Sequence, residues 1–288
     1  MKPEVTAFFD EPTNTFSYVV TDPASQACAI IDSVLNFDHA SGSVTYTGAD
    51  DIAQHIENKN LQTQWIIETH VHADHLSAAP YLQSRVGGTL AIGEHINTIQ
   101  QTFGKIFNEG SDFQRNGSQF DHLFADGEAY QIGGLACRAI HTPGHTPACM
   151  THLIGNAAFV GDTLFMPDSG SARADFPGGD ARQLYQSIQA VLDLPSDTRL
   201  FMCHDYAPNG RPIAYESTIE LQKQQNIHAN NAIDENTFVT MREARDKTLG
   251  MPDLILPSLQ VNMRAGHFPE PEDNQMVYLK TPINAFHL

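Results

Sequence analysis

The sequence predicts an α+β fold in which two mixed sheets pack face to face and are covered on the outside by helices. Three observations carry this expectation. Short apolar strands alternate with amphipathic helices in blocks, hairpin signals occur at the start and in the middle of the chain, and no repeat or low-complexity tract interrupts the order. With 288 residues, 41% of them hydrophobic, the chain can bury the core of one large domain without a disulfide framework. We expect a single domain over 1–288, with a helical C-terminal appendage from about 213–288.

In chain order, TFSYVVTD alternates apolar and polar residues, DPAS reads as a turn and ACAIIDSV as a mostly apolar return strand, so the first 35 residues predict a hairpin. ADDIAQHIENKNL has helical periodicity. QWIIET reads as a short buried strand ending at His70, and LSAAPYLQSRV as a helix closed by Gly87 and Gly88. Between Gln100 and Asp126 the chain turns polar and glycine-dotted, which predicts a surface excursion that rims the site. Strands return with YQIGG, LACRAIHT, CMTHLIG, AAFVGD and RLFMCHD. Helices are expected at ARQLYQSIQAVLDL, STIELQKQQNIHAN and DENTFVTMREARDKTLG, with PSLQVNMRAG packing back on the domain.

Charge and cysteine content exclude several functions. A formal charge of −18 repels nucleic acid phosphates and acidic lipid headgroups, which argues for a small-molecule substrate. No apolar run approaches the roughly 20 residues that span a bilayer. The N-terminus MKPEVTAFFDEP lacks the unbroken apolar core of a signal peptide, so the cytosol is the expected compartment. Four dispersed cysteines with no CxxC pair read as reduced thiols, and Cys203 as a small buried hydrophobe. A homodimer is the commonest assembly for such a chain, and the C-terminal appendage is the segment that could supply its interface.

The chemistry is concentrated in ETHVHADHLSAAPYL, where His70, His72, Asp74 and His75 fall within six positions between a strand and a helix. At this chain's residue frequencies an HxHxDH pattern arises by chance only about 0.002 times. Imidazole and carboxylate together suit zinc, iron or manganese. His145 in HTPGHTPA, Asp162 in FVGDTLF and His204 in FMCHDYAP each follow a predicted strand, and strand ends at one edge of a sandwich converge. Gly144 and Gly161 precede two of them and allow the sharp turns that would aim the side chains inward. Seven potential ligands thus gather at one edge. His95, His141, His152 and His228 do not share the pattern and read as structural.

THVHADH, HTPGHTP, GDTLF and HDY, in this order and spacing, resemble the metallo-β-lactamase superfamily, whose fold is an αββα sandwich with metal at one edge. Within it, GHTPACMT, GSARADF and NMRAG resemble the persulfide dioxygenase branch more than its glyoxalase II sisters. Ser171 and Ala172 stand where that branch has a cysteine and a glycine. The resemblance implies one Fe(II) per chain held by His70, His145 and Asp162, with His72, Asp74, His75 and His204 supporting it. It implies oxidation of a low-molecular-weight, glutathione-type thiol persulfide by O2 to sulfite and free thiol. Tyr206, Arg173 and Arg264 become candidates for contacts to the substrate carboxylates or to the surroundings of the iron. The same seven residues also fit two Zn(II) in a hydroxyacylglutathione hydrolase or lactonase. There His70, His72 and His145 would hold one zinc, Asp74, His75 and His204 the other, and Asp162 would bridge them. Asp74 would serve as ligand or proton shuttle in that setting.

Overall fold

The computed structural model describes residues 2–285. The chain opens with β1 (Glu4–Asp10), β2 (Thr15–Thr21) and β3 (Ala27–Ile31), an antiparallel meander whose second turn is the expected DPAS. A small lateral ribbon, β4 (Val34–Asp38) and β5 (Ser43–Thr45), leads into α1 (Thr47–Asn58), which turns Ala49, Ile52, Ala53 and Ile56 inward. β6 (Gln62–Ile67) then runs parallel to β3, and the two-residue β7 (Leu76–Ser77) pairs with β4. α2 (Ala79–Val86) ends at Gly87, β8 (Thr89–Gly93) adds parallel to β6, α3 (Ile96–Ile106) follows, and β9 (His122–Phe124) closes the first sheet. Its order is β1-β2-β3-β6-β8-β9.

The second sheet has the order β10-β11-β12-β13-β14-β15. β10 (Ala129–Ile132), β11 (Leu135–His141), β12 (Met150–Ile154) and β13 (Ala157–Phe159) are antiparallel. α4 (Ala181–Leu192), capped by the Asp180 carboxylate on the Gln183 amide, crosses over to β14 (Arg199–Phe201), parallel to β13. β15 (Glu216–Thr218), α5 (Ile219–Gln225), α6 (Glu235–Asp246) and α7 (Ile255–Asn262) complete the described elements.

Residue alternation builds the layers. From β2 and β3, Phe16, Tyr18, Val20, Ala27, Ala29 and Ile31 meet Leu135, Ala139, Ile154 and Phe159 of the second sheet in the central core. Their neighbours Val19, Cys28 and Ile30 point the other way, onto α1, α2, α3 and α7. Ala158 and Leu200 of the second sheet face α4, α5 and α6 on the opposite side. Both faces of β2 are therefore covered, and all seven of its residues are buried despite their mixed polarity. The expected sandwich of two sheets between helical layers is what forms. Among the described residues no helix is long and apolar enough to cross a membrane.

Two expectations are corrected. The segment 100–126 is not one surface excursion: its start belongs to α3 and its end is β9, a strand of the first sheet. Polar composition concealed this because Gln100 is buried with its amide satisfied. It donates to the Met263 carbonyl and the Gln119 side chain, and accepts from the Gly117 amide. Nor does the loop between them rim the site. It lies against the C-terminal segment, where Glu109 pairs with Arg264 and Lys280. The chain after residue 213 is also not helical throughout, since β15 first extends the second sheet.

Candidate metal centre

β6 lies between two parallel neighbours, so the chain leaving its C-terminal end emerges at the middle of the sheet edge. Glu68, Thr69, His70, His72 and His75 follow in a buried loop. Asp162 and His204 leave the ends of the adjacent strands β13 and β14, and His145 comes from the loop joining β11 to β12. Gly144 and Gly161 make this convergence possible. Gly144 has φ +136° and a Cβ there would lie 2.3 Å from the Leu184 backbone; Gly161 has φ +49° and its Cβ would lie 2.7 Å from Thr69 Oγ1.

The seven residues form two adjoining groups. Candidate donor atoms of His70, His145 and Asp162 lie within 4.8 Å of one another, as do those of His72, Asp74, His75 and His204. Asp162 connects them: its Oδ2 is 3.6 Å from His145 Nε2 and 3.9 Å from His70 Nε2, and its Oδ1 is 3.3 Å from His204 Nε2. Asp74 reaches His204 Nε2 at 3.4 Å and His75 Nδ1 at 3.5 Å. Although the rings of His70 and His72 are 4.1 Å apart, His72 groups with Asp74 rather than with His145.

Each histidine is held through one nitrogen while the other faces the cluster. The His145 Nδ1–H donates to the Arg173 carbonyl at 2.8 Å. His70 Nδ1 meets Thr69 Oγ1 at 3.0 Å, and that hydroxyl donates to Asp32 Oδ2 at 2.8 Å. His204 Nδ1 donates to the Asn14 carbonyl at 3.3 Å. His72 presents Nε2 to Asp32 at 3.0 Å and Glu68 at 3.3 Å. Acceptors placed on the far side of a ring fix its tautomer and direct the other nitrogen's lone pair inward. Consistently, His70 Nε2, His72 Nδ1, His75 Nε2, His204 Nε2, Asp74 Oδ2 and Asp162 Oδ1 are buried with no hydrogen-bond partner among the described residues. Six such atoms converging on one place would be costly unless a cation satisfied them, so the donor set fits a metal centre.

The electrostatics follow from burial. Desolvation pushes His70 well below the usual imidazole range, and the surrounding His72, His145, His204 and His75 add to it. Burial also lowers His75. It disfavours charge on His72 too, but Asp32 and Glu68 outweigh it and hold that imidazole well above its ordinary value. Asp74 is likewise desolvated, yet His204 and His75 keep its carboxyl far below the carboxylate range.

Two residues that hold the cluster in place were not among the site candidates expected from the sequence. Asp32 directly follows β3 with φ +51° and takes the Thr69 amide, the Thr69 hydroxyl and His72 on one buried carboxylate. It follows a strand as the ligand candidates do, and that signal could have found it. Asn262, at the end of α7, is 4% exposed. Its Nδ2 donates to the His72 and His75 carbonyls at 2.9 and 2.8 Å, and its Oδ1 accepts the Ser77 amide at 2.8 Å. The NMRAG stretch thus clamps the histidine loop.

A cavity of about 570 Å³ opens onto Asp74, His145 and Asp162, with Tyr206 and Arg173 in its wall. Arg173 binds Asp175 at 2.6 and 2.8 Å and the Gly250 carbonyl at 2.6 Å, with its guanidinium 4.7 Å from the Phe176 ring centroid. Arg264 is not brought to this cavity: it pairs with Glu109 at 2.5 Å and lies over Phe113.

Comparison with known proteins agrees with this geometry. The family model of the metallo-β-lactamase superfamily matches residues 10–204. A probable metallo-hydrolase of Burkholderia pseudomallei is 55% identical, over 98% of this chain and 99% of its own length. A β-lactamase hydrolase-like protein of Xylella fastidiosa is 54% identical over 98% of this chain, which spans only 65% of that relative. The mitochondrial persulfide dioxygenase ETHE1 of Homo sapiens is 28% identical, over 90% of this chain and 87% of its own. Among solved structures, ETHE1 from Myxococcus xanthus has a TM-score of 0.72 at 26% identity, covering 92% of this chain and all of that one.

Proposed function

Since the chain belongs to the metallo-β-lactamase superfamily, we propose that it is an iron-dependent persulfide dioxygenase acting on a low-molecular-weight thiol persulfide of the glutathione type. The reaction is RSSH + O2 + H2O → RSH + SO3²⁻ + 2H⁺, in which the outer sulfur rises from −1 to +4, the inner sulfur falls from −1 to −2, and the net four electrons reduce dioxygen. The observation that carries the reading is the group of two histidines and one carboxylate, His70, His145 and Asp162, of which His145 and Asp162 line a cavity large enough for a tripeptide-sized thiol and His70 lies buried behind them. That donor set is typical of non-haem iron oxygenases. The likeness to the human persulfide dioxygenase over 90% of this chain supports it.

Bound by these three residues, Fe(II) would supply the redox chemistry that activates dioxygen, which zinc lacks. The remaining work belongs to the chain. The Arg173 carbonyl and Thr69 hydroxyl orient His145 and His70. Asp32 braces Thr69 and His72 together, so the histidine loop cannot rotate without breaking several buried hydrogen bonds. Asp74, ionised and facing the cavity, is placed to accept a hydrogen bond from a water there and so to orient it, while its strongly depressed pKa makes it a poor proton acceptor. The test is metal analysis paired with oxygen uptake on glutathione persulfide. One iron per chain and sulfite equal to the oxygen consumed are expected; absence of uptake by iron-loaded protein overturns the proposal.

The second group, His72, Asp74, His75 and His204, favours one alternative, a dinuclear zinc hydrolase of a thioester or lactone. Two zinc ions there would supply a hydroxide nucleophile at neutral pH. The name of the Burkholderia relative agrees with that reading. Two zincs per chain, with thioester cleavage and no oxygen uptake, would establish it.

A further inference from the structure

We infer that Arg245 holds a carboxylate of the thiol carrier, so that the cavity selects persulfides borne on carboxylate-bearing thiols. This deepens the proposed function and rests on its assumption that a thiol carrier enters the cavity.

Three arginines line the cavity, and two are already committed. Arg173 is bidentate to Asp175, and Arg242 is buried against Asp246, with a further bond to the Ser171 carbonyl. Arg245 lines the same wall, is exposed, and makes no side-chain hydrogen bond or ion pair among the described residues. Arg115 bonds only backbone carbonyls, and Arg138 on β11, which does not line the cavity, is likewise free among the described residues, but in this chain of 34 acidic and 16 basic residues each of the other guanidinium groups has a carboxylate partner. Arg85, Arg182, Arg199, Arg211 and Arg264 all have one.

The surroundings favour binding at this position. Ile227, Leu249 and Met251 line the cavity too, so the non-polar part of a ligand held at Arg245 has exposed apolar side chains to cover. The helix that carries Arg245 is also fixed relative to the metal loop. Asp246 accepts the Ala174 amide and Arg242 binds the Ser171 carbonyl, so α6 is tied to the 171–176 segment whose Arg173 carbonyl orients His145. A carboxylate anchored on Arg245 is therefore referred to the same segment that sets the position of a ligand. With a net charge of −18 the protein repels anions at long range, and a local free cation at the cavity offsets this for the intended substrate.

The test compares S-methylglutathione with its dimethyl ester, in which both carboxylates are masked, by calorimetric titration of the metal-loaded protein under argon. Neither compound can be oxidised as a persulfide, so binding is read separately from the dioxygenase reaction. The wild type should bind the free acid about tenfold more tightly than the ester, the ratio that about 1.4 kcal/mol provides. In Arg245→Gln that preference should fall to near unity while ester affinity and the urea midpoint stay unchanged; Arg245→Lys should recover part of it. Equal preference in wild type and Arg245→Gln, or no binding of either compound by the wild type, overturns the inference. A protein that shows the preference yet consumes no oxygen would keep this inference and discard the dioxygenase reading.

Discussion

Replacing Asn262 with alanine tests how the histidine loop is held. The side chain makes three hydrogen bonds at 2.8 to 2.9 Å to the loop backbone, and Asn262 is 4% exposed, so truncation strands two carbonyls and one amide in the interior. An unsatisfied buried group costs about 1–3 kcal/mol, and water entering the vacated space recovers part of it, so a net loss of about 3 kcal/mol is expected. The loop carrying His70, His72, Asp74 and His75 loses its tie to α7, and metal affinity should fall with stability. Asn262→Asp is the informative companion: it can keep the Ser77 contact but sets a carboxylate oxygen against the His72 and His75 carbonyls, and should be at least as damaging. Urea unfolding monitored by circular dichroism gives the stability, and competition with a chromophoric chelator gives the affinity. Wild-type values for Asn262→Ala in both assays would refute the clamp.

Three further outcomes follow from other contacts. His152 is fully buried, with Nδ1 on Tyr130, and desolvation depresses it from 6.5 to about 4. The unfolded chain therefore binds a proton there more readily between these values, so stability is fully present above pH 6.5 and falls as the pH drops towards 4. This contributes about 3 kcal/mol, and His152→Gln should flatten that part of the urea-midpoint profile; an unchanged slope contradicts it. Asp32→Asn removes the carboxylate that braces Thr69 and His72, and metal affinity by chelator competition should fall about 10- to 100-fold. Gly144→Ala would push a methyl to within 2.3 Å of the Leu184 backbone at φ +136°, and should cost about 3 kcal/mol or more in urea unfolding; a cost under about 1 kcal/mol would show that α4 yields freely.

The layered architecture was legible because periodicity reports which side of an element is covered, and here almost every long element is covered. The seven ligand candidates were legible because strand ends share an edge. The strands β5, β7, β9 and β15, of two or three residues, carry too few side chains for a period to register and, unlike β13 and β14, do not lead into a candidate ligand motif. Gln100 misled for a different reason: a polar residue whose hydrogen bonds are all met indoors looks in sequence like a surface residue. Asp32 and Asn262 act only across separations of 37 to 190 positions, which local pattern does not report. Arginine assignments suffered likewise. Arg173 and Arg264 were recognisable as cations near quoted motifs, but only the folded chain reveals that Asp175 and Glu109 already occupy them.

The central claim is that His70, His145 and Asp162 support oxygen-consuming chemistry on a persulfide sulfur. It is tested most directly by loading metal-free protein with one equivalent of Fe(II) under argon, adding glutathione persulfide and a measured amount of O2, and quantifying sulfite. The account predicts one sulfite per O2 consumed, lost in Asp162→Ala, with no gain on supplying a second equivalent of metal. Protein that consumes no oxygen with iron, but cleaves a glutathione thioester once two equivalents of zinc are bound, would contradict it.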